Sequence, residues 1–276
     1  MSILFVVATP IGNLKDITLR ALETLRACDV IVAEDTRHTR KLLAAHGIEG
    51  KPLLSLHARS TKQDVERAAA RLRAGESVAL VTDAGTPGVS DPGDALVRAA
   101  IAAGVRVVPI PGASAVLAAL SASGLGGGGA FRFFGFLPRD GTARARAIAA
   151  IASTPEPAIL FESPERANDT LVELCEVMPT RSACVARELT KLHEELVRGP
   201  LVELIHRREW RGEIVIVLGP QEVPETAVDD AAIDARIDHE LARGSGAKRT
   251  AELVAAWSGR PKREIYERVV RRRHTS

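Results

Sequence analysis

Cysteine is scarce in this chain of 276 residues: Cys28, Cys175 and Cys184 lie far apart and form no Cys-x-x-Cys pair. An odd, scattered set gives neither a disulfide framework nor a thiolate zinc site, and it points to a reducing cytosol. Long apolar runs are missing too. No stretch reaches the roughly 18 uninterrupted apolar residues of a membrane span, and MSILFVVATP has no basic leader before its apolar run. Neither a membrane segment nor an export signal is therefore expected, and the expected location is cytoplasmic. The common phosphate cradles are absent: no G-x-G-x-x-G follows the first strand-like run, and G-x-x-x-x-G-K-[ST] occurs nowhere. A cofactor without phosphates fits better than NAD or ATP. Charge of one sign is also lacking, since 37 Lys+Arg against 35 Asp+Glu leave only +2. That total does not announce a nucleic-acid binder, although a pI near 8.5 leaves room for a local basic surface.

What is present suffices for a folded core: 46% hydrophobic and 26% charged residues, in a length that suits two modest domains. Apolar strand-like runs alternate with helical patterns: Leu4–Ala8 then Thr18–Ala27, Val30–Ala33 then Thr36–His46, Leu53–Leu56 then Thr61–Ala74, followed by Val78–Thr82 and Arg106–Ile110. This spacing predicts βαβ units and a mostly parallel sheet, hence an α/β class. A short helix near Ser114–Ala122 precedes SGLGGGG, residues 123–129, the most glycine-dense window and the expected linker. Beyond it a second α/β domain is expected. It has strands at Phe131–Phe136, Ala158–Phe161, Ala183–Arg187 and Glu213–Leu218, and helices at Thr142–Ala152 and Arg166–Val177. Connections short enough for hairpins predict a mixed sheet there. The expected domains are residues 1–122, 130–220 and 228–276.

The last of these is a small helical extension with patterns at Asp229–Ala242, Ala247–Trp257 and Pro261–Arg271. From Leu241 to Ser276 there are ten Lys/Arg against three Asp/Glu, a local charge of +7. Ser258-Gly259-Arg260 has the length and glycine of a helix-turn-helix turn, and a solvated helix pair is the equally good alternative. Trp257 and Tyr266 are expected to pack in its core rather than stack on bases.

Three loops end strand-like runs and are rich in turn residues: Ala8 to Asn13, Asp83 to Gly93, and Ile110 to Ala115. Ligands of open α/β sheets bind at this end of the strands. Ser114 either caps the helix that follows or meets a ligand. His38, His46 and His193 have no metal-ligand spacing, and no metal is expected.

The succession VATPIGNL, AEDTRHTRKLL, VTDAGTPGVSDPG, IPGASA, FGFLPR, FESPER, RELTKLHEE with RG, and GEIVIVLGP resembles the tetrapyrrole-methylase superfamily along nearly all of residues 3–220. The resemblance is specifically to a branch that methylates a cytidine ribose of small-subunit ribosomal RNA. It implies two α/β domains with S-adenosylmethionine in the cleft between them, and a homodimer. Carried over by position, it implies donor contacts at Pro10, Asp83, Gly85, Thr86, Ser114 and Ala115, and from the second domain Phe161, Leu189 and Ile214. Catalytic candidates are Asp35, Arg37, Arg187, Glu188 and Lys191, within a polar set that includes Glu34, Thr36, His57 and Glu195. Arg187 and Lys191 would meet RNA phosphate or the reacting ribose, with Glu188 or Asp35 orienting them or accepting a proton; an inter-domain ion-pair network is the bland alternative. Arg139, Arg144 and Arg146 are expected to contact phosphates.

The chain departs from the branch pattern twice. Ala58-Arg59-Ser60 follows His57 where a His-Asn-Glu-like stretch is usual, and Glu165 stands where ESPHR has histidine, which excludes a catalytic histidine there. Methylation of a tetrapyrrole such as a corrin precursor, and a non-catalytic RNA-binding or assembly role, are the alternatives. The first would need a large apolar cleft and no basic extension; the second would not need the glycine-rich loops.

Overall fold

A computed structural model describes residues 2–207, 209–221 and 229–273. The chain divides into two compact units, Met1–Gln221 and Glu222–Ser276. In the first unit β1 (Ile3–Val7), α1 (Leu19–Ala27), β2 (Val30–Ala33), α2 (Thr36–Ala45), β3 (Leu53–Ser55), α3 (Lys62–Arg73), β4 (Val78–Val81), α4 (Asp94–Ala102) and β5 (Arg106–Ile110) build an all-parallel sheet of order β3-β2-β4-β1-β5. The central strands β2 and β4 are buried at every position, as expected for short apolar runs covered on both faces. Alternation sends Val30, Val32, Val78 and Leu80 into one core and Ile31, Ala33, Ala79 and Val81 into the other. The helices begin where local chemistry dictates. The Thr18 hydroxyl accepts from Ala21 N, and Thr61 and Asp64 form a reciprocal capping box.

The second sheet belongs to the same unit. Its elements are α5 (Ala115–Ser123), β6 (Arg132–Phe136), α6 (Gly141–Ala152), β7 (Ala158–Glu162), α7 (Pro164–Val177), β8 (Ser182–Arg187), β9 (Glu195–Pro200), α8 (Leu201–Leu204) and β10 (Ile214–Leu218). The order is β6-β7-β10-β8-β9, with β6 parallel to β7 and every other pair antiparallel, so the sheet is mixed. Strand β9 was not anticipated. Among the described residues it pairs with β8 alone, at the sheet edge, and it ends in Gly199 and Pro200, so it carries little of the usual strand pattern. Helix α5 packs Val116 and Ala119 against Ile159, Ala186, Val215 and Val217 of this second sheet. Arg198 adds bonds to the carbonyls of Ala122 and Ser123. The glycine-rich stretch therefore follows a helix already docked on the second sheet.

Arg144 corrects an expectation. Only 6% exposed, it spends its guanidinium on Glu173, Thr170 Oγ1 and the Pro138 carbonyl, so it is a strut between α6 and α7, not a phosphate contact. Arg139 and Arg146 are exposed.

The second unit comprises α9 (Asp230–Ala242), α10 (Ala247–Ser258) and α11 (Lys262–Arg273) around Ile233, Ile237, Ala251, Val254, Ile265 and Val269. Trp257 and Tyr266 were expected in this core but are 47% and 43% exposed, because the aliphatic residues fill it without them. Gly259 ends α10 at φ +69, the left-handed cap that a tight helix–helix turn requires. Asp230, Asp234 and Asp238 lie four residues apart on α9 and hold Arg268 and Arg272 of α11, so part of the basic excess is paired internally. No helix among the described residues is long and apolar enough to cross a membrane.

Candidate active site

The three turn-rich loops come together at the carboxyl ends of the parallel strands. Thr9 and Gly85 exchange backbone hydrogen bonds of 2.8 and 3.1 Å, Ala8 N–H donates to Ile110 O at 3.1 Å, and the Thr86 hydroxyl donates to Ala113 O at 3.1 Å. The first loop also meets the second sheet. Asn13 N–H donates to Thr190 Oγ1 at 2.9 Å, and a methyl group on Gly12 would fall 2.6 Å from Lys191 Cγ and 2.7 Å from Thr190 Oγ1. Only glycine fits that seam.

These loops and the ends of β7 and β8, with the start of β10, enclose a cavity of about 560 Å³. Ile11, Val116, Phe161 and Ile214 give it apolar walls, while the 84–86 turn and Ser114 contribute polar groups. Ser114 serves both suggested ends: its hydroxyl accepts from Leu117 N at the start of α5, and it lines the cavity. Of the residues singled out as donor contacts, Gly85, Thr86, Ser114, Ala115, Phe161 and Ile214 line this space. Pro10, Asp83 and Leu189 do not. Pro10 and Leu189 are buried beside it, and Asp83 Oδ1 accepts from Asp35 N–H at 3.0 Å.

The catalytic candidates separate into three places. Glu188 and Lys191 line the cavity, where Lys191 Nζ bridges Glu188 Oε1 at 3.0 Å and Glu213 Oε2 at 2.8 Å. Its hydrogen bonds with Lys191 and the Glu213 N–H hold the Glu188 carboxyl below its ordinary range. Glu188 and Thr190 adopt φ +49 and +67, uncommon for residues with a side chain, and Ser90 across the cavity has φ +65. Such strain collects at binding sites. Arg187 points into a different network: its Nε lies 2.6 Å from Glu195 Oε2 of β9, which Arg207 also grips, and these arginines hold the Glu195 carboxyl at about 2. Asp35 and Arg37 form an exposed pair at the start of α2, beside a second, smaller hollow. There the hydrogen bonds from Arg37 keep the Asp35 carboxyl well below the usual carboxylate range.

Asp91, in the second loop, was not singled out from the sequence. It lines the large cavity, and its carboxyl is pushed up to about 6, chiefly by burial and further by the negative charges of Glu34 and Asp83. Glu162, of the FESPER run, also lines the cavity but is committed elsewhere: it accepts from Thr170 Oγ1 at 2.7 Å and Ser163 N–H at 2.9 Å and pairs with Arg166. Glu165 is exposed in the first turn of α7. Among the described residues no three His, Cys, Asp or Glu side chains are grouped so as to hold a metal ion.

Two α/β sheets meeting over a cavity walled by turn-rich loops define a class, and the family model of the Tetrapyrrole (Corrin/Porphyrin) Methylases matches residues 4–205. The chain belongs to that family. Its fold is shared with the methyltransferase CobJ, at a TM-score of 0.61 and 21% identity over 80% of this chain and 95% of that one. It is shared too with uroporphyrin-III C-methyl transferase from Thermus thermophilus complexed with S-adenyl homocysteine, at 0.58 and 20% over 79% and 97%. Within the family, a Xylella fastidiosa protein named ribosomal RNA small subunit methyltransferase I is 45% identical over 95% of this chain and 97% of its own length. A Bacillus subtilis protein of the same name is 38% identical over 97% and 94%.

Proposed function

We propose that this protein is an S-adenosylmethionine-dependent methyltransferase of small-subunit ribosomal RNA, and that the atom it methylates is the ribose 2′-oxygen of a cytidine. The relatives' shared name supports the RNA substrate, and the family supports methyl transfer. The observation that carries the reading is the cavity itself. Its apolar walls suit an adenine, its turns offer backbone groups to ribose and amino acid, and its lysine, Lys191, is already held by two carboxylates. A phosphate-bearing cofactor would find no cradle there, whereas a sulfonium nucleoside needs none.

When bound, the donor supplies an electrophilic methyl group. Gly85, Thr86, Ser114, Ala115, Phe161 and Ile214 hold it, while Pro10, Asp83 and Leu189 shape the loops behind them. The acceptor hydroxyl is a weak nucleophile unless its proton is taken, and Asp91 is the cavity carboxylate whose affinity for a proton suits that task. Asp91 would take the acceptor hydroxyl's proton, while the methyl group would leave the donor's sulfur, which departs as a neutral thioether. Lys191 and Glu188 orient the ribose and its phosphate at the rim. Arg187 acts on them through the β8–β9 edge rather than touching substrate, and Asp35 and Arg37 sit where the nucleotide's base would lie. On this reading the enzyme works in the cytosol as a homodimer.

The test is incubation with methyl-labelled donor and, separately, unmethylated small subunits, free ribosomal RNA and a tetrapyrrole mixture. Label is expected in a cytidine of the ribosomal RNA, in a nucleotide that resists alkaline cleavage. Label in a tetrapyrrole, or in a base rather than a ribose, would overturn the assignment.

The cavity wall offers an independent check. Gly212 has φ +77, and a methyl group placed on it would overlap the Glu188 carboxyl group. Gly212→Ala is expected to fold, to melt a few degrees lower, and to bind the donor at least tenfold more weakly by calorimetry. The left-handed backbone costs on the order of 1–2 kcal/mol for a residue with a side chain, and Glu188 must also rotate. Unchanged affinity would show that this wall does not touch the donor.

A further inference from the structure

A second hollow of about 320 Å³ opens at the ends of β2 and β3, lined by Glu34, Asp35, Thr36, Arg37, Ser55 and His57. Among the described residues no apolar side chain lines it, in contrast to the large cavity. Asp35 and Arg37 neutralise each other across it. Glu34, half-buried, accepts a single hydrogen bond at its carboxylate among the described residues, from Asp83 N–H at 3.4 Å, so most of its acceptor capacity faces the hollow. His57 Nδ1 accepts from Arg59 N–H at 3.1 Å, which leaves the imidazole proton on Nε2 as a donor.

A carboxylate acceptor beside an imidazole donor is the complement of an amino-bearing base edge. Cytosine presents an exocyclic amine next to acceptor N3 and O2. A keto base such as uracil presents an oxygen to the carboxylate and an N–H to the imidazole, so both contacts become repulsive. A phosphate is a poor occupant, because the guanidinium is already paired and two carboxylates border the space.

The residues bordering the two hollows are neighbours: Asp35 N–H donates to Asp83 Oδ1, Asp83 N–H donates to Glu34, and Asp91, close enough to feel the charges of Glu34 and Asp83, lines the large cavity. A nucleotide with its base in the small hollow would then have its ribose within reach of Asp91. We propose that the Glu34–His57 hollow is the base pocket of the acceptor nucleotide, where Glu34 accepts from the amine of cytosine and His57 Nε2–H donates to its ring. The proposal rests on the RNA reading above and names the feature that selects the base.

The experiment uses the full chain with unmethylated small subunits, or an RNA fragment around the mapped target, carrying either cytidine or uridine at that position. Wild-type protein is expected to prefer cytidine at least about 100-fold, the scale on which a site built for hydrogen bonds rejects an analogue lacking them. Glu34→Gln is expected to keep donor affinity within twofold, to raise KM for the cytidine substrate at least tenfold, and to lower the cytidine-to-uridine preference at least tenfold, because its amide can donate to the uracil oxygen. His57→Gln, on the neighbouring strand end, retains an N–H and is expected to keep most activity, whereas His57→Leu is expected to raise KM with little change in kcat. The His57 pair tests the pocket even if Glu34→Gln does not fold. Equal use of cytidine and uridine by the wild type would overturn the proposal, as would Glu34→Gln with unaltered KM and preference, or equal activity of the two His57 variants. Failure of the wild type to methylate any ribose would instead overturn the function on which the proposal rests.

Discussion

Replacing Asp91 by asparagine is expected to lower methyl transfer by about 10²–10⁴-fold, the usual contribution of a general base, while donor binding survives and the protein becomes harder to melt at pH 7.5. Both effects have one cause. Burial, aided by Glu34 and Asp83, raises the folded-state carboxyl to about 6 from 3.8. The folded protein therefore binds that proton more tightly than the unfolded chain. Below about pH 4 the side chain is protonated in both states and exacts nothing. As pH rises through 6 the folded state acquires a half-buried anion, and stability is lost across that window. Asparagine removes the anion, so the melting temperature is expected to rise at pH 7.5 and to change little at pH 4. For the wild type, kcat/KM should fall below about pH 6 as the base is protonated. Thermal melts at the two pH values, donor calorimetry and a pH–rate profile decide it. An Asp91→Asn enzyme within threefold of wild type, or a rate flat from pH 5 to 7.5, would remove Asp91 from the reaction.

Arg181→Ala is expected to give the largest loss of stability, about 3–5 kcal/mol, without touching the cavity. The guanidinium is buried and donates to four carbonyls, those of Ile151, Thr154, Glu156 and Gly219, at 2.9–3.1 Å. It thus ties the end of α6 and the approach to β7 to the end of β10. Alanine would strand buried acceptors, each at a cost of roughly 1–3 kcal/mol before the structure relaxes or admits water. Lysine supplies three donors on one nitrogen and cannot span the same four oxygens, so Arg181→Lys should recover only part. Urea denaturation followed by circular dichroism measures this directly; a loss under 1 kcal/mol would mean that water replaces the side chain easily.

How far such features can be read before folding depends on how local they are. The strands β1, β2 and β4 and the starts of α1 and α3 were legible because apolar runs and capping residues act within a few positions. So were the three loops, since a chain that turns at the end of a parallel strand needs glycine and proline there. The polar set Glu34 to Arg37 with His57 was also legible as a group, and the fold does gather it around one hollow. The rest depended on distant partners. Asp91 looks ordinary in GVSDPG until β2 brings Glu34 beside it. Arg144 reads as a surface charge until α7 presents Glu173 and Thr170. Strand β9 exists because β8 offers it an edge, and α5 reads as part of the first sheet's series although its apolar face lies on the second.

In the small helical unit, α11 shows what pairing across helices implies. It has six Lys/Arg among its twelve residues and, among the described residues, contributes only Ile265 and Val269 to the core. Cut loose, such a peptide would repel itself and stay a coil in water. The row of aspartates on α9 acts as a template on which this cationic segment can wind, so the last helix is conditional on the first of the three. A chain shortened from its end loses one helix, but one that loses α9 loses α11 with it.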